Sequence, residues 1–243
     1  MYDSVSKYYD FLTKDIKYNE WSKYIISIIK KLNPDAKAVL DLCCGTGSMT
    51  AILSKKGYDV DGVDISSEML TVASNKLFEA DLKAGFINQD IINLEIQKKY
   101  DVVICILDSI NHIIRINDLK RVFKNIKNLL NEGGILIFDI NTEYKFQKKL
   151  DGNVYYQVDD DISYIWENRY NEKTKICDFD MTFFIKQGIL YNKSDEKVKE
   201  RCYSTEELTV YLQTAGFKNI EIYNGFTFRK PLKTSERVFF VVT

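Results

Sequence analysis

The chain has 243 residues, 45% hydrophobic and 28% charged, with a formal net charge of −1 at pH 7. A chain of this length and composition can bury a full core without metal or disulfide staples, which excludes the disordered and low-complexity classes. The near-neutral balance, with no long Lys/Arg block, argues against a nucleic-acid or anionic-membrane surface.

The five cysteines, Cys43, Cys44, Cys105, Cys177 and Cys202, form no C-x-x-C pair. Reduced thiols in the cytoplasm fit better than zinc ligation or a disulfide framework, so no metal is expected. The opening stretch "MYDSVSKYYDFLTKDIKY" lacks the basic-then-apolar layout of a signal peptide. No apolar run approaches the ~20 residues that span a bilayer. A soluble cytoplasmic protein is the expectation.

Trp21, Tyr24, Ile25, Ile28, Ile29 and Leu32 recur at helical spacing, and Pro34 stops that helix. Ala38–Leu42 reads as a strand and Ser48–Lys56 as a helix, with Met49, Ile52 and Leu53 on one face. Tyr58–Asp64 is a second strand, and Ser66 a fitting N-cap for a helix through Ala80 with Glu68 in its first turn. "AGFINQD" carries a short third strand. Tyr100–Leu107 is almost continuously apolar, as in a strand buried on both faces of a parallel sheet. Leu119, Val122, Phe123, Ile126 and Leu130 stripe the next helix, Gly133–Gly134 are expected to end it, and "ILIFDIN" is a fifth strand.

This order predicts an α/β fold with a parallel sheet and right-handed crossovers. After Asn141 the period changes. Ile162, Tyr164 and Trp166 share one face, and so do Cys177, Phe179, Met181, Phe183 and Ile185, with "NEKT" between the two runs. That pattern is an antiparallel hairpin, so residues 142–198 are expected to form a small β insertion in a domain built from 1–141 and 199–243. Ser204 and Glu207 then make a capping box, Gly216 ends the helix, and "FKNIEIY" and "ERVFFVVT" are the last strands.

The stretch "AVLDLCCGTGSMT" places a glycine turn between the first strand and a helix. Backbone N–H groups at such a turn favour an anion, but the phosphate motifs fail. No lysine stands at the Walker spacing after Gly45, and Thr50 takes the third glycine position of a dinucleotide fingerprint. Asp41 sits badly beside a pyrophosphate and well beside an ammonium group. The D-x-x-x-G-x-G pattern of Asp41, Gly45 and Gly47 resembles the cofactor motif of class I S-adenosylmethionine-dependent methyltransferases.

That resemblance covers nearly the whole chain and implies a Rossmann-like seven-stranded sheet whose last strand enters antiparallel beside the fifth. It implies that the glycine loop holds the methionine end of S-adenosylmethionine. Asp64 then binds both ribose hydroxyls, since a carboxylate accepts two hydrogen bonds, and Asp90 accepts from the adenine amino group. Ile65, Met69 and Ile91 pack on the adenine, and Leu107 closes strand four beside the cofactor. Tyr9, in an aromatic-rich segment like the cover of small-molecule methyltransferases, faces the sulfonium with its ring. "SINH", Ser109–His112, resembles the S-x-x-H region of methyltransferases that dimethylate amino sugars, which makes His112 the candidate base. Cys43 and Cys44 read as small residues in a crowded turn, with nothing nearby in sequence to lower a thiol pKa. The expected acceptor is the N or O of a small molecule, with no nucleic acid or membrane partner. A nicotinamide-dependent oxidoreductase and a non-catalytic S-adenosylmethionine-binding protein are the alternatives.

Overall fold

The computed structural model describes residue 6 and residues 8–243. A short helix α1 (Tyr9–Leu12) precedes α2 (Tyr18–Leu32), which buries Trp21, Tyr24, Ile25, Ile28 and Ile29. Helix α2 ends two residues before Pro34, because proline disfavours helical backbone in the residue ahead of it. There follow β1 (Ala38–Leu42), α3 (Ser48–Lys55), β2 (Asp59–Asp64), α4 (Ser67–Glu79), β3 (Gly85–Asn88), β4 (Tyr100–Cys105), α5 (Ile116–Leu129) and β5 (Leu130–Asn141). The Ser66 hydroxyl caps α4 by accepting the Met69 N–H, as expected.

These five strands pair in parallel in the order β3-β2-β1-β4-β5. Beyond β5 lie β11 (Arg237–Val242) and then β10 (Ile220–Asn224), with β11 antiparallel to both neighbours. The result is the expected seven-stranded sheet. Its alternating side chains feed two cores. Val102, Ile104, Ile135, Ile137, Phe239 and Val241 point toward α2 and α3. Val103, Cys105, Leu136, Phe138, Ile140, Val238 and Phe240 point toward α5 and α7 (Thr205–Thr214). Strand β4 is buried on both sides, so its near-continuous apolar run is a direct trace of its central place. The Ser204–Glu207 capping box that starts α7 is present in both halves.

One boundary differs from expectation. Gly133–Gly134 do not end α5, which stops at Leu129 with β5 beginning at once. The glycines instead lie where the β4–β5 register shifts between Tyr100 and Val102. Gly133 takes φ +72° there, and a Cβ on Gly134 would stand 2.9 Å from the Asn131 carbonyl. An irregular strand entry asks for the same residue as a helix stop.

Between β5 and α7 a helical turn (α6, Glu143–Lys145, running on through Phe146–Leu150) leads into a second sheet. It is antiparallel and four-stranded, ordered β6 (Val154–Gln157), β7 (Ile162–Asn171), β8 (Ile176–Gln187) and β9 (Leu190–Arg201). The expected hairpin is β7–β8. Strand β9 has too many charges to show as a strand in sequence, and it carries the sheet to Arg201 rather than 198. Phe146, Ile162, Cys177, Phe179, Met181, Phe183 and Val198 form this sheet's own core, against which Phe11 and Leu12 of α1 pack.

Candidate functional site

A cavity of about 310 Å³ opens beyond the carboxyl ends of β1 to β4. That is where open α/β sheets bind ligands, because the loops there diverge. Of the residues expected at a site, Tyr9, Asp41, Gly45, Asp64, Ile65, Met69, Asp90, Ile91, Leu107 and His112 line it. Gly47 does not. It takes φ +70°, and a Cβ there would lie 2.8 Å from the Ala73 Cβ, so Gly47 lets α3 approach α4. Gly45, at φ +53°, has open space where a Cβ would stand.

The three carboxylates on the wall differ in setting. Asp41 is 1% exposed and accepts from the Thr50 hydroxyl at 2.6 Å. Burial pushes its carboxyl up to about 7, against the pull of that hydrogen bond, with nearby Asp64 adding to the rise. Asp64 accepts the Gly45 N–H and the Ser66 N–H, each at 2.9 Å, one on each oxygen. It therefore braces the glycine loop and the start of α4 together, and each oxygen keeps a lone pair for a ligand. Asp90 caps the turn Ile91–Asn93 by accepting the Ile92 N–H on Oδ1 at 2.9 Å. Capping and ligand binding are compatible, since its other oxygen is left over.

Tyr9 covers the cavity from α1, with Tyr18 beside it. Burial pushes the Tyr9 hydroxyl far up and that of Tyr18 to about 12, so both are neutral phenols at physiological pH. Helix α1 is latched to the glycine loop: Asp10 accepts from the Thr46 hydroxyl at 2.6 Å and pairs with Lys76 of α4 at 2.7 Å. Cys43 and Cys44 also line the cavity. Burial, Asp41 and Asp64 hold the Cys44 thiol well above its usual range, so it is inert.

The end of β4 holds residues that motif reading passes over. Leu107 and Asp108 both have left-handed backbone, φ +58° and +54°. For non-glycine residues this costs on the order of 1–3 kcal/mol each and persists only where other contacts impose it. Asp139 imposes it: fully buried on β5, it accepts the Leu107 N–H at 2.7 Å and the Asp108 N–H at 3.1 Å. Arg237 of β11 hydrogen-bonds Asp139 and reaches Asp108 at 2.6 Å, holding the Asp108 carboxyl down to about 2 against its burial. Asp139 did leave a signal, an acid within the apolar strand "ILIFDIN". Its partner Arg237 lies 98 residues away and left none.

His112 follows on the turn Ser109–His112. Its Nδ1 is buried with no hydrogen-bond partner. Burial lowers its pKa, with Asp108 and the Lys199 carbonyl opposing. Glu200 of β9 approaches Nε2 at 3.8 Å.

Among the described residues that line the cavity there are three carboxylates and no lysine or arginine. A pyrophosphate would meet repulsion without a counter-charge. A ligand with a sulfonium, an ammonium and an adenosine meets no such repulsion there. Comparison with known proteins agrees. A methyltransferase-domain family matches residues 39–134. The provisionally assigned methyltransferase YqeM of Bacillus subtilis strain 168 is 32% identical over 241 residues, covering 99% of this chain and 96% of its own. The crystal structure of an S-adenosylmethionine-dependent methyltransferase from Clostridium acetobutylicum ATCC 824 superposes with a TM-score of 0.88 at 37% identity, covering 97% of this chain and 95% of that one.

The chain belongs to the S-adenosylmethionine-dependent methyltransferases.

In this methyltransferase the cofactor is S-adenosylmethionine, and the strand order is the one the D-x-x-x-G-x-G resemblance implied. The sugar N-methyltransferase KedS8 from Streptoalloteichus sp. ATCC 53650 shares the fold of the methyltransferase, with a TM-score of 0.83 at 18% identity over 96% of this chain and 90% of that one.

Proposed function

We propose that the enzyme methylates a nitrogen or oxygen of a small-molecule acceptor, with His112 as general base. The observation that carries this reading is the unpartnered Nδ1 of His112, buried in the wall of the cofactor cavity beyond β4. A buried ring nitrogen left without a partner, on a residue that lines the cofactor cavity, contributes nothing to packing, and proton abstraction gives it a use.

Bound S-adenosylmethionine supplies an electrophilic methyl carbon, open to in-line displacement. The chain supplies everything else. Asp41 answers the ammonium group, Asp64 the ribose hydroxyls, and Asp90, through its second oxygen, the adenine amino group. Tyr9 and Tyr18 exclude water from above, which strengthens each of these contacts. His112 takes the acceptor's proton as the methyl arrives. The tyrosines are too weakly acidic to exist as phenolates near neutrality, so they are poor substitutes. The insertion spanning 142–198, extended by β9, roofs the acceptor side, because Lys199 and Glu200 of β9 stand against His112. Orientation in such a closed site can supply several of the ~7–11 kcal/mol available from proximity.

The test is methyl transfer from labelled S-adenosylmethionine to a panel of small amines and alcohols, amino sugars included. His112→Asn should bind cofactor as the wild type does and lose roughly 10²–10⁴-fold in single-turnover rate. Wild-type rates in the variant, with any acceptor the parent methylates, overturn the base assignment.

A further inference from the structure

Glu200, next to last in β9, lies on the inner face of the insertion sheet, opposite Cys177 in the ladder and 5% exposed. A carboxyl there gives up its hydration, and an apolar residue of similar size would pack at less cost. The group is nevertheless fixed in place. Asn141 Nδ2 donates to Oε2 at 3.1 Å. Asn141 is itself held, its N–H donating to Asn111 Oδ1 at 3.0 Å and its Oδ1 accepting from Lys145 at 2.8 Å. Asn111 also donates to the carbonyl of Arg201, the residue after Glu200, at 2.8 Å. The other carboxyl oxygen, Oε1, faces His112 Nε2.

The charged groups around this pair come from four elements. Asp108 is engaged by Arg237 of β11, which also holds Asp139 of β5. Lys145 of α6 lies within electrostatic reach of Asp108, Asp139 and Glu200. Cys177 of β8 is a neutral thiol, pushed up to about 12 by burial and by Glu200. Among the described residues Glu200 has no ion-pair partner except His112. Asp108, His112 and Glu200 bring donor atoms within 4.8 Å of one another. With Arg237 and Lys145 in the same cluster, this is a compensated charge network and not a metal cage.

We propose that Glu200 is the positioning residue of His112: its carboxyl, 3.8 Å from Nε2, favours the proton on that nitrogen and leaves Nδ1 as the basic atom of the ring. The proposal rests on His112 acting as the base. As the methyl bond forms, the acceptor's N–H or O–H bond breaks and Nδ1–H forms, while Nε2–H stays. The imidazolium so produced faces a carboxylate instead of an apolar wall. Burial pushes the Glu200 carboxyl up and the His112 ring down.

His112 is the only histidine in the chain, so its ring resonances assign themselves. In tag-free ¹⁵N-labelled protein the neutral ring should be the Nε2–H tautomer. In Glu200→Gln its titration midpoint should fall by about one pH unit, the effect of removing one nearby opposite charge. Glu200→Asp withdraws the charge by one methylene and should fall between the two, which also serves if the glutamine variant folds poorly. S-adenosylmethionine affinity, read by calorimetry, should stay within twofold, since Glu200 does not line the cofactor cavity. An unchanged midpoint and tautomer in both variants overturns the proposal. So does a tenfold loss of cofactor affinity, which makes Glu200 a residue of the fold, or a shift of the His112 signals by equimolar Zn²⁺ after EDTA treatment. If the midpoint follows Glu200 while His112→Asn methylates normally, the pair stands and the base assignment falls; the converse removes the pair and leaves the base.

Discussion

Asp41 carries a burial cost that a cationic ligand would offset. Its carboxyl moves from 3.8 to about 7, so ionised Asp41 costs the cofactor-free fold on the order of 4 kcal/mol. The folded state prefers the protonated form. The cost is therefore absent below the ordinary carboxylate range, grows as pH rises, and is complete above pH 7. Asp41→Asn should raise the melting temperature of the cofactor-free enzyme at pH 8, leave it unchanged at pH 4, and weaken S-adenosylmethionine binding. A melting temperature that falls equally at both pH values would show that Asp41 serves packing alone. Asp64 behaves differently, because its oxygens already meet two backbone donors. Asp64→Asn should weaken cofactor binding by about 1.5–3 kcal/mol, the scale of hydrogen bonds to a charged group, and calorimetry reads it directly. With His112 as the proposed base the active form is neutral, and burial lowers its pKa, so methyl transfer should be flat through neutrality and fall only on the acid side of the ordinary imidazole range. A rate that still climbs between pH 7 and 9 would point to a different base.

At the scale of elements, the two motif glycines separate. Gly45 belongs to the cavity, whereas Gly47 belongs to the α3–α4 contact. Gly47→Ala forces a Cβ against Ala73 and should destabilise the fold by roughly 1–3 kcal/mol in denaturant melts, with cofactor affinity preserved in the folded fraction. Motif spacing could not make this distinction, since both glycines satisfy one pattern for unrelated reasons. Helix α1 is another such element. It buries none of its own residues fully and is held by Asp10 to Thr46 and Lys76, and by Phe11 and Leu12 to the insertion sheet. Asp10→Ala should leave the melting temperature nearly unchanged, because exposed pairs contribute ~0–1 kcal/mol. It should speed cofactor exchange in stopped-flow experiments; an unchanged exchange rate would show that α1 does not gate the cavity.

Across the whole molecule, what was legible followed from period and order. The parallel strands, the antiparallel closing strand and the β7–β8 hairpin all show as apolar periodicity, which is a property of single strands. So do the acids at successive strand ends, since each is placed by its own strand. Glu200, Lys145 and Arg237 were not legible, because their meaning comes from contacts across the fold: Glu200 with a turn 88 residues earlier, Arg237 with one acid on β5 and one in the turn after β4. Strand β11 carries a consequence for how the enzyme is made. It lies between β5 and β10, both of which precede it in sequence, so on the ribosome these two strands emerge with a gap between them. Until Arg237 arrives, neither Asp139 nor Asp108 has a guanidinium to face. The glycine loop and β1 to β4 precede β11 in the chain, whereas the Asp108–Asp139 corner is completed only when β11 pairs. In chain order, then, the loops that line the cofactor cavity come before the guanidinium that joins its β4 end to the closing strand.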